Sequence, residues 1–171
     1  MARRLLAEGL GSLLLVALVV GSGIAAETLS PADVGLQLLE NSTATALGLT
    51  VLILVLAPVS GAHFNPVVSL VDWRLGGATG LAGRHIGPYI AAQCLGGAAG
   101  AVLANAMFAL APVQVATRDR VTVGTLLGEV VATAGLILVI FALVRSGRAA
   151  LAAPAVGAYI CLLYTSDAAD E

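Results

Sequence analysis

The stretch Val59-Ser60-Gly61-Ala62-His63-Phe64-Asn65-Pro66-Val67 concentrates the groups of this chain best suited to handling a small polar molecule. The Asn65 amide both donates and accepts hydrogen bonds. Asparagine is also a good N-cap and proline suits the first helical position, so Asn65-Pro66 predicts a helix start. Pro58 and Gly61 interrupt the chain just before it. The run 41–71 carries no charge if His63 is neutral. As one straight helix it would be roughly 46 Å long, against ~30 Å of bilayer hydrocarbon. The spacing predicts a span ending before Pro58, non-helical backbone after it, and a half-helix over 66–75 about 15 Å long. Such backbone is tolerated at membrane depth only when buried in protein or lining a watery cavity. The chemistry implied is that of a pore or transport site. The half-helix would aim about half a positive charge at the midplane, a barrier to cations and protons but not to a neutral solute.

Two carboxylates, Glu8 and Glu129, lie within apolar stretches, where an ionisable group is costly and usually has a use. A proton relay is one such use. No His/Glu metal motif and no Ser/Cys nucleophile with a base appears in the spans, so the sequence predicts neither catalytic residues nor a metal or cofactor, and no enzyme. Cys94 and Cys161 provide neither a disulfide framework nor metal spacing.

The elements that must hold these groups follow from composition. With 59% hydrophobic residues, 11% charged and a mean hydropathy of +1.01, an ordinary soluble domain is excluded. Charge-free runs at 9–26, 41–71, 86–117 and 130–144 predict an all-α polytopic membrane protein. Helices are expected at 5–26, 41–57, 87–109 and 123–144, with a polar loop over 27–40 and a further helix from 149. Ala92, Gly96 and Gly100 form a small-residue stripe suited to close helix packing. All eight basic residues are arginine. With the N-terminus cytoplasmic, Arg3, Arg4, Arg74, Arg84, Arg145 and Arg148 fall inside and only Arg118 and Arg120 outside, as the positive-inside rule favours.

Glu8-x-x-Gly11-Ser12 recurs as Glu129-x-x-Ala132-Thr133, and Ala46-Leu47-Gly48 as Ala155-Val156-Gly157. Three spans and a half-helix per copy make this an inverted repeat, complete in its first copy and truncated in the second span of the next. The expected organisation is a transmembrane domain over 1–160, incomplete at its C-terminal end. The segment 161–171 resembles the translation of a sequencing adapter and is expected to be non-native.

Gly61-Ala62-His63-Phe64-Asn65-Pro66-Val67 closely resembles the first Asn-Pro-Ala box of the aquaporin or major intrinsic protein family. Ala7-Glu8-x-x-Gly11, Ala92-Gln93 and Gly128-Glu129 extend the similarity across residues 1–160. Val67 stands where that box usually has alanine, and a second box is absent. The resemblance implies six spans and two half-helices, homotetramers with one pore per subunit, and passive passage of water and small neutral solutes through a plasma-membrane (bacterial inner-membrane) channel. Nucleic acid has no part in it. It assigns Asn65, Pro66 and Val67 to the box, the carbonyls of Gly61, Ala62 and His63 to the pore wall, and Glu8 and Glu129 to buttressing the re-entrant loops. Thr45, twenty residues before Asn65, falls at the family's selectivity constriction. Water-selective members carry a bulky aromatic there. A small polar threonine implies a wider, aquaglyceroporin-type pore for glycerol-like solutes or uncharged metalloid acids. The rival reading is a proton-coupled secondary transporter with inverted repeats, using Glu8 or Glu129.

Overall fold

The computed structural model describes residues 1–114 and 121–167, the side chains of 164–167 excepted. Among these the protein is all-helical: α1 (Ala2–Leu29), α2 (Val34–Ser60), α3 (Pro66–Leu75), α4 (Ile86–Met107), α5 (Val123–Arg145) and α6 (Ala152–Asp167). Four helices, α1, α2, α4 and α5, are long and apolar enough to cross a membrane. The short helix is α3, whose ten residues rise about 15 Å, half a hydrocarbon core.

Two expected boundaries are corrected. The polar segment 27–40 is mostly helix: α1 runs on to Leu29 and α2 starts at Val34 rather than 41. Asp33 makes the early start possible, its carboxylate accepting the Leu36 N–H at 2.9 Å as an N-cap. Nor does Pro58 end α2. The helix carries it and continues to Ser60, where Gly61 turns left-handed at φ +97°. A proline removes one N–H from the ladder, a loss that membrane helices tolerate. The positive φ, which glycine adopts freely, is what stops the helix. Arg118 and Arg120 lie outside the described residues.

Packing follows the small residues. α1 lies between α4 and α2, α6 packs on α2, and α5 on α6. The stripe on α4 faces α1: a Cβ on Gly96 would strike the Gly9 carbonyl, and one on Gly100 the Leu13 carbonyl. Contact at that range gains van der Waals energy, which drives helix association in lipid. Gly157 brings α6 against the backbone of α2 in the same way, its Cβ position 2.6 Å from the Ala46 carbonyl oxygen. The buried core of Leu49, Phe64, Val68, Leu136 and Val156 joins α2, the connection before α3, α3 itself, α5 and α6. The short helix and its approach are therefore held inside the bundle.

Candidate functional site: a re-entrant loop and its cavity

Gly61 to Phe64 form the non-helical connection between α2 and α3. Its path is unusual: Gly61, Ala62 and Phe64 have φ of +97°, +51° and +49°. Left-handed alanine and phenylalanine each cost roughly 1–2 kcal/mol, so the surroundings must impose this shape. The imposing group is Glu8 on α1, fully buried. Its Oε1 accepts the His63 N–H at 3.1 Å and the Ser60 hydroxyl at 2.6 Å. Its Oε2 accepts the Phe64 N–H at 2.9 Å and the Gln93 amide at 2.8 Å. Four donors on two oxygens satisfy a charge that would otherwise be prohibitive at this depth.

The direction of the carbonyls follows. No peptide here is cis, and in a planar trans peptide C=O points opposite to the next N–H. The His63 and Phe64 N–H groups point at Glu8, and that of Ala62 at the Ser60 hydroxyl, 3.1 Å away. The carbonyls of Gly61, Ala62 and His63 are thus turned away from Glu8 and Ser60. These residues, with Asn65, line a cavity of about 370 Å³. Its opposite wall is apolar, including Leu49 and Ile53 of α2, Leu136 and Ile140 of α5, and Val156 of α6.

Asn65 begins α3. Its Oδ1 accepts the N–H groups of Val67 at 2.7 Å and Val68 at 3.4 Å, while Pro66 takes the first helical position. With Oδ1 engaged, the amide NH₂ keeps its two donors and has no partner among the described residues. It stands where the α3 macrodipole is positive.

Further polar groups hold the loop in place. Tyr89, buried on α4, donates to the Ser60 carbonyl at 2.9 Å. Gln93, one turn along the same face, also donates to the Ser69 hydroxyl at 2.9 Å. That hydroxyl lies 3.0 Å from His63 Nδ1. Tyr89 and Ser69 were not singled out in the sequence, and Ser60 stood in the motif without a role of its own. Their one visible signal was polarity at helical spacing within apolar segments, which many packing residues share.

The remaining expected residues scatter. Pro66 and Val67 lie beside the cavity without lining it, Val67 being 41% exposed. Thr45 is buried in α2 with its hydroxyl 3.3 Å from Asn41 Oδ1, outside the lining. Glu129 is exposed on α5 and makes no hydrogen bond to another described residue. No group of three or more His, Cys, Asp or Glu capable of holding a metal occurs among the described residues.

The family model for the major intrinsic proteins matches residues 1–168. The chain is 45% identical over 164 residues to aquaglyceroporin AqpS of Rhizobium meliloti, covering 96% of this chain and 68% of that protein. It is 37% identical over 103 residues to the glycerol uptake facilitator protein of Pseudomonas aeruginosa, covering 60% of this chain and 35% of that one. Against the probable aquaporin AqpM of Archaeoglobus fulgidus it is 33% identical over 119 residues, 60% of this chain and 46% of the relative. A broken helix pinned through a buried glutamate, its loop residues lining a largely apolar cavity, is thus matched by similarity along nearly the whole chain, which belongs to the major intrinsic protein family, a family of membrane channels and not of enzymes.

Proposed function

We propose that the chain forms the greater part of a passive channel for water and small neutral solutes of the glycerol type, with uncharged metalloid acids in the same size class. The observation that carries this is the orientation of the re-entrant loop. Glu8 takes up its N–H groups, so its carbonyls accept hydrogen bonds from a solute whose carbon face rests on the apolar wall. Asn65 donates to the solute from the positive end of α3, where cations and protons are repelled. The names of the relatives from R. meliloti and P. aeruginosa favour glycerol among neutral solutes.

The finer architecture belongs to the same proposal. α1 to α4 make one complete repeat, and α5 and α6 begin an inverted copy whose own box lies beyond residue 171. Glu129 then buttresses the second loop as Glu8 does the first. Thr45 keeps the constriction wide, 161–171 stand in place of native sequence, and the full-length protein assembles as a homotetramer. The N-terminus is cytoplasmic, which puts Arg3, Arg4, Arg74, Arg84, Arg145 and Arg148 on the inner side of the plasma membrane.

The four donors on Glu8 weigh against the coupled-transporter alternative, because a proton carrier must exchange its proton with the pathway. The test is stopped-flow glycerol uptake into liposomes, with this chain completed by the remaining third of the R. meliloti relative. Uptake that ignores an imposed proton gradient supports the channel. Uptake that follows the gradient overturns it in favour of the transporter.

A further inference from the structure

We propose that Gly76–Leu81 is a strap across the surface mouth of the cavity and that Asp72 is its latch. α3 carries the chain from the cavity interior to a rim that includes Arg4, Asp72 and Val144. There the chain turns back. Gly76, Thr79, Gly80 and Leu81 all line the same cavity, and Leu81 is 7% exposed despite lying in a connection between helices. A leucine folded inward at a polar rim needs something to hold it.

The holding group is the Asp72 carboxylate, whose Oδ2 accepts the Leu81 N–H at 2.8 Å. The rest of the strap is shaped to lie flat on Asp72. The Gly76 N–H donates to the Asp72 carbonyl at 2.8 Å, and a Cβ at either Gly76 or Gly80 would collide with that carbonyl. Gly77 is left-handed at φ +62° in open space, the turn that sends the strap back over α3. Within it, the Thr79 hydroxyl donates to the Gly76 carbonyl at 3.2 Å and the Gly80 N–H to that of Gly77 at 3.3 Å. These internal bonds keep the strap compact, whereas the Asp72–Leu81 bond fixes where its far end lies. The same Oδ2 faces His63 Nε2 at 3.6 Å, too long for a hydrogen bond but within ion-pair range whenever the imidazole is protonated, so the latch also adjoins the loop wall.

Asp72 is thus a positioning residue: it acts through Leu81 on the width of the mouth and hence on access to the Gly61–His63 carbonyls. The role of the strap in solute access rests on the channel reading, whereas the latch geometry does not. The test is therefore one of accessibility. In a Cys94→Ser, Cys161→Ser background in lipid nanodiscs, Ile140→Cys places a reporter thiol on the cavity wall. Ala104→Cys, on a residue of α4 that is 1% exposed and lies outside the cavity lining, reports general loosening. The reagent is a charged, water-soluble methanethiosulfonate. Asp72→Ala is expected to raise the Ile140→Cys reaction rate roughly tenfold, as loss of a hydrogen bond to a charged group allows. Leu81→Ala is expected to raise it comparably. Asp72→Asn, which retains a carbonyl acceptor, should stay within about twofold of the parent. Parental rates in both alanine variants would overturn the latch, and so would an equal rise at Ala104→Cys. A rise confined to Ile140→Cys in a protein whose completed form passes no solute would uphold the latch and reject the channel.

Discussion

Glu8 and Phe64 are joined across 56 residues of sequence by one hydrogen bond, the Phe64 N–H donating to Glu8 Oε2 at 2.9 Å. Through it, and through the matching bond from His63, a carboxylate on the first helix sets the backbone direction of a loop far along the chain. The side of the loop that faces the cavity is decided from behind. Glu8→Gln replaces one acceptor oxygen by an NH₂ group facing other donors. Each lost bond to the charged carboxylate is worth about 1.5–3 kcal/mol. The expected outcome is a clear fall in thermal unfolding temperature in detergent, with Glu8→Asp falling less.

The Phe64 ring occupies the space that a side chain at position 11 would need, since a Cβ on Gly11 falls on the ring. Gly11→Ala should therefore destabilise by about 1–3 kcal/mol through overpacking. Phe64→Leu in the same molecule should recover most of that loss. Unfolding of the two single variants and the double variant measures the coupling directly.

Neighbouring glycines on α4 should behave differently. Gly96 and Gly100 leave no room for a Cβ against the backbone of α1, whereas a Cβ on Gly97 meets only a Val16 methyl at 3.5 Å, an ordinary contact. Gly100→Ala should force α1 and α4 apart and lower stability measurably. Gly97→Ala should be neutral or gain up to about 1 kcal/mol in helix propensity.

Gly61 stops α2 at φ +97°, and a Cβ there would approach His63 Nε2 at 3.1 Å. Gly61→Ala should cost roughly 1–2 kcal/mol for the left-handed backbone alone. Pro58→Ala, which restores an N–H to a helix that already continues past it, should leave the loop unchanged. Amide hydrogen exchange over 58–64 distinguishes the two.

These contrasts mark what the residues disclosed and what they did not. Asn65-Pro66 announced the start of α3, because capping and proline placement are local rules that act within a few residues. The cavity also came within reach, since non-helical backbone at membrane depth must either be buried in protein or line one. Pro58 misled: in water a proline would be a plausible helix end, but in lipid the freed backbone groups have no solvent to turn to and the helix persists. Asp33 was passed over as loop polarity although it caps α2. Tyr89 and Ser69 could not be picked out, nor the role of Ser60 foreseen, because these roles depend on which helix faces which. Thr45 is a different case. Its position was taken from the family; its contact with Asn41 is a local i, i+4 pair, but its burial depends on the helices around α2.

The most direct test of the central claim is the glycerol permeability of the completed channel in liposomes, wild type against Asn65→Asp at matched incorporation. Aspartate keeps the cap, because its carboxylate can accept the Val67 N–H as Oδ1 does now. What it loses is the NH₂ donor, and it sets a charge in the path of a neutral solute. We predict that permeability falls roughly tenfold or more while the fold survives. Undiminished glycerol flux through Asn65→Asp would mean that the solute does not pass this residue, and the account would be wrong.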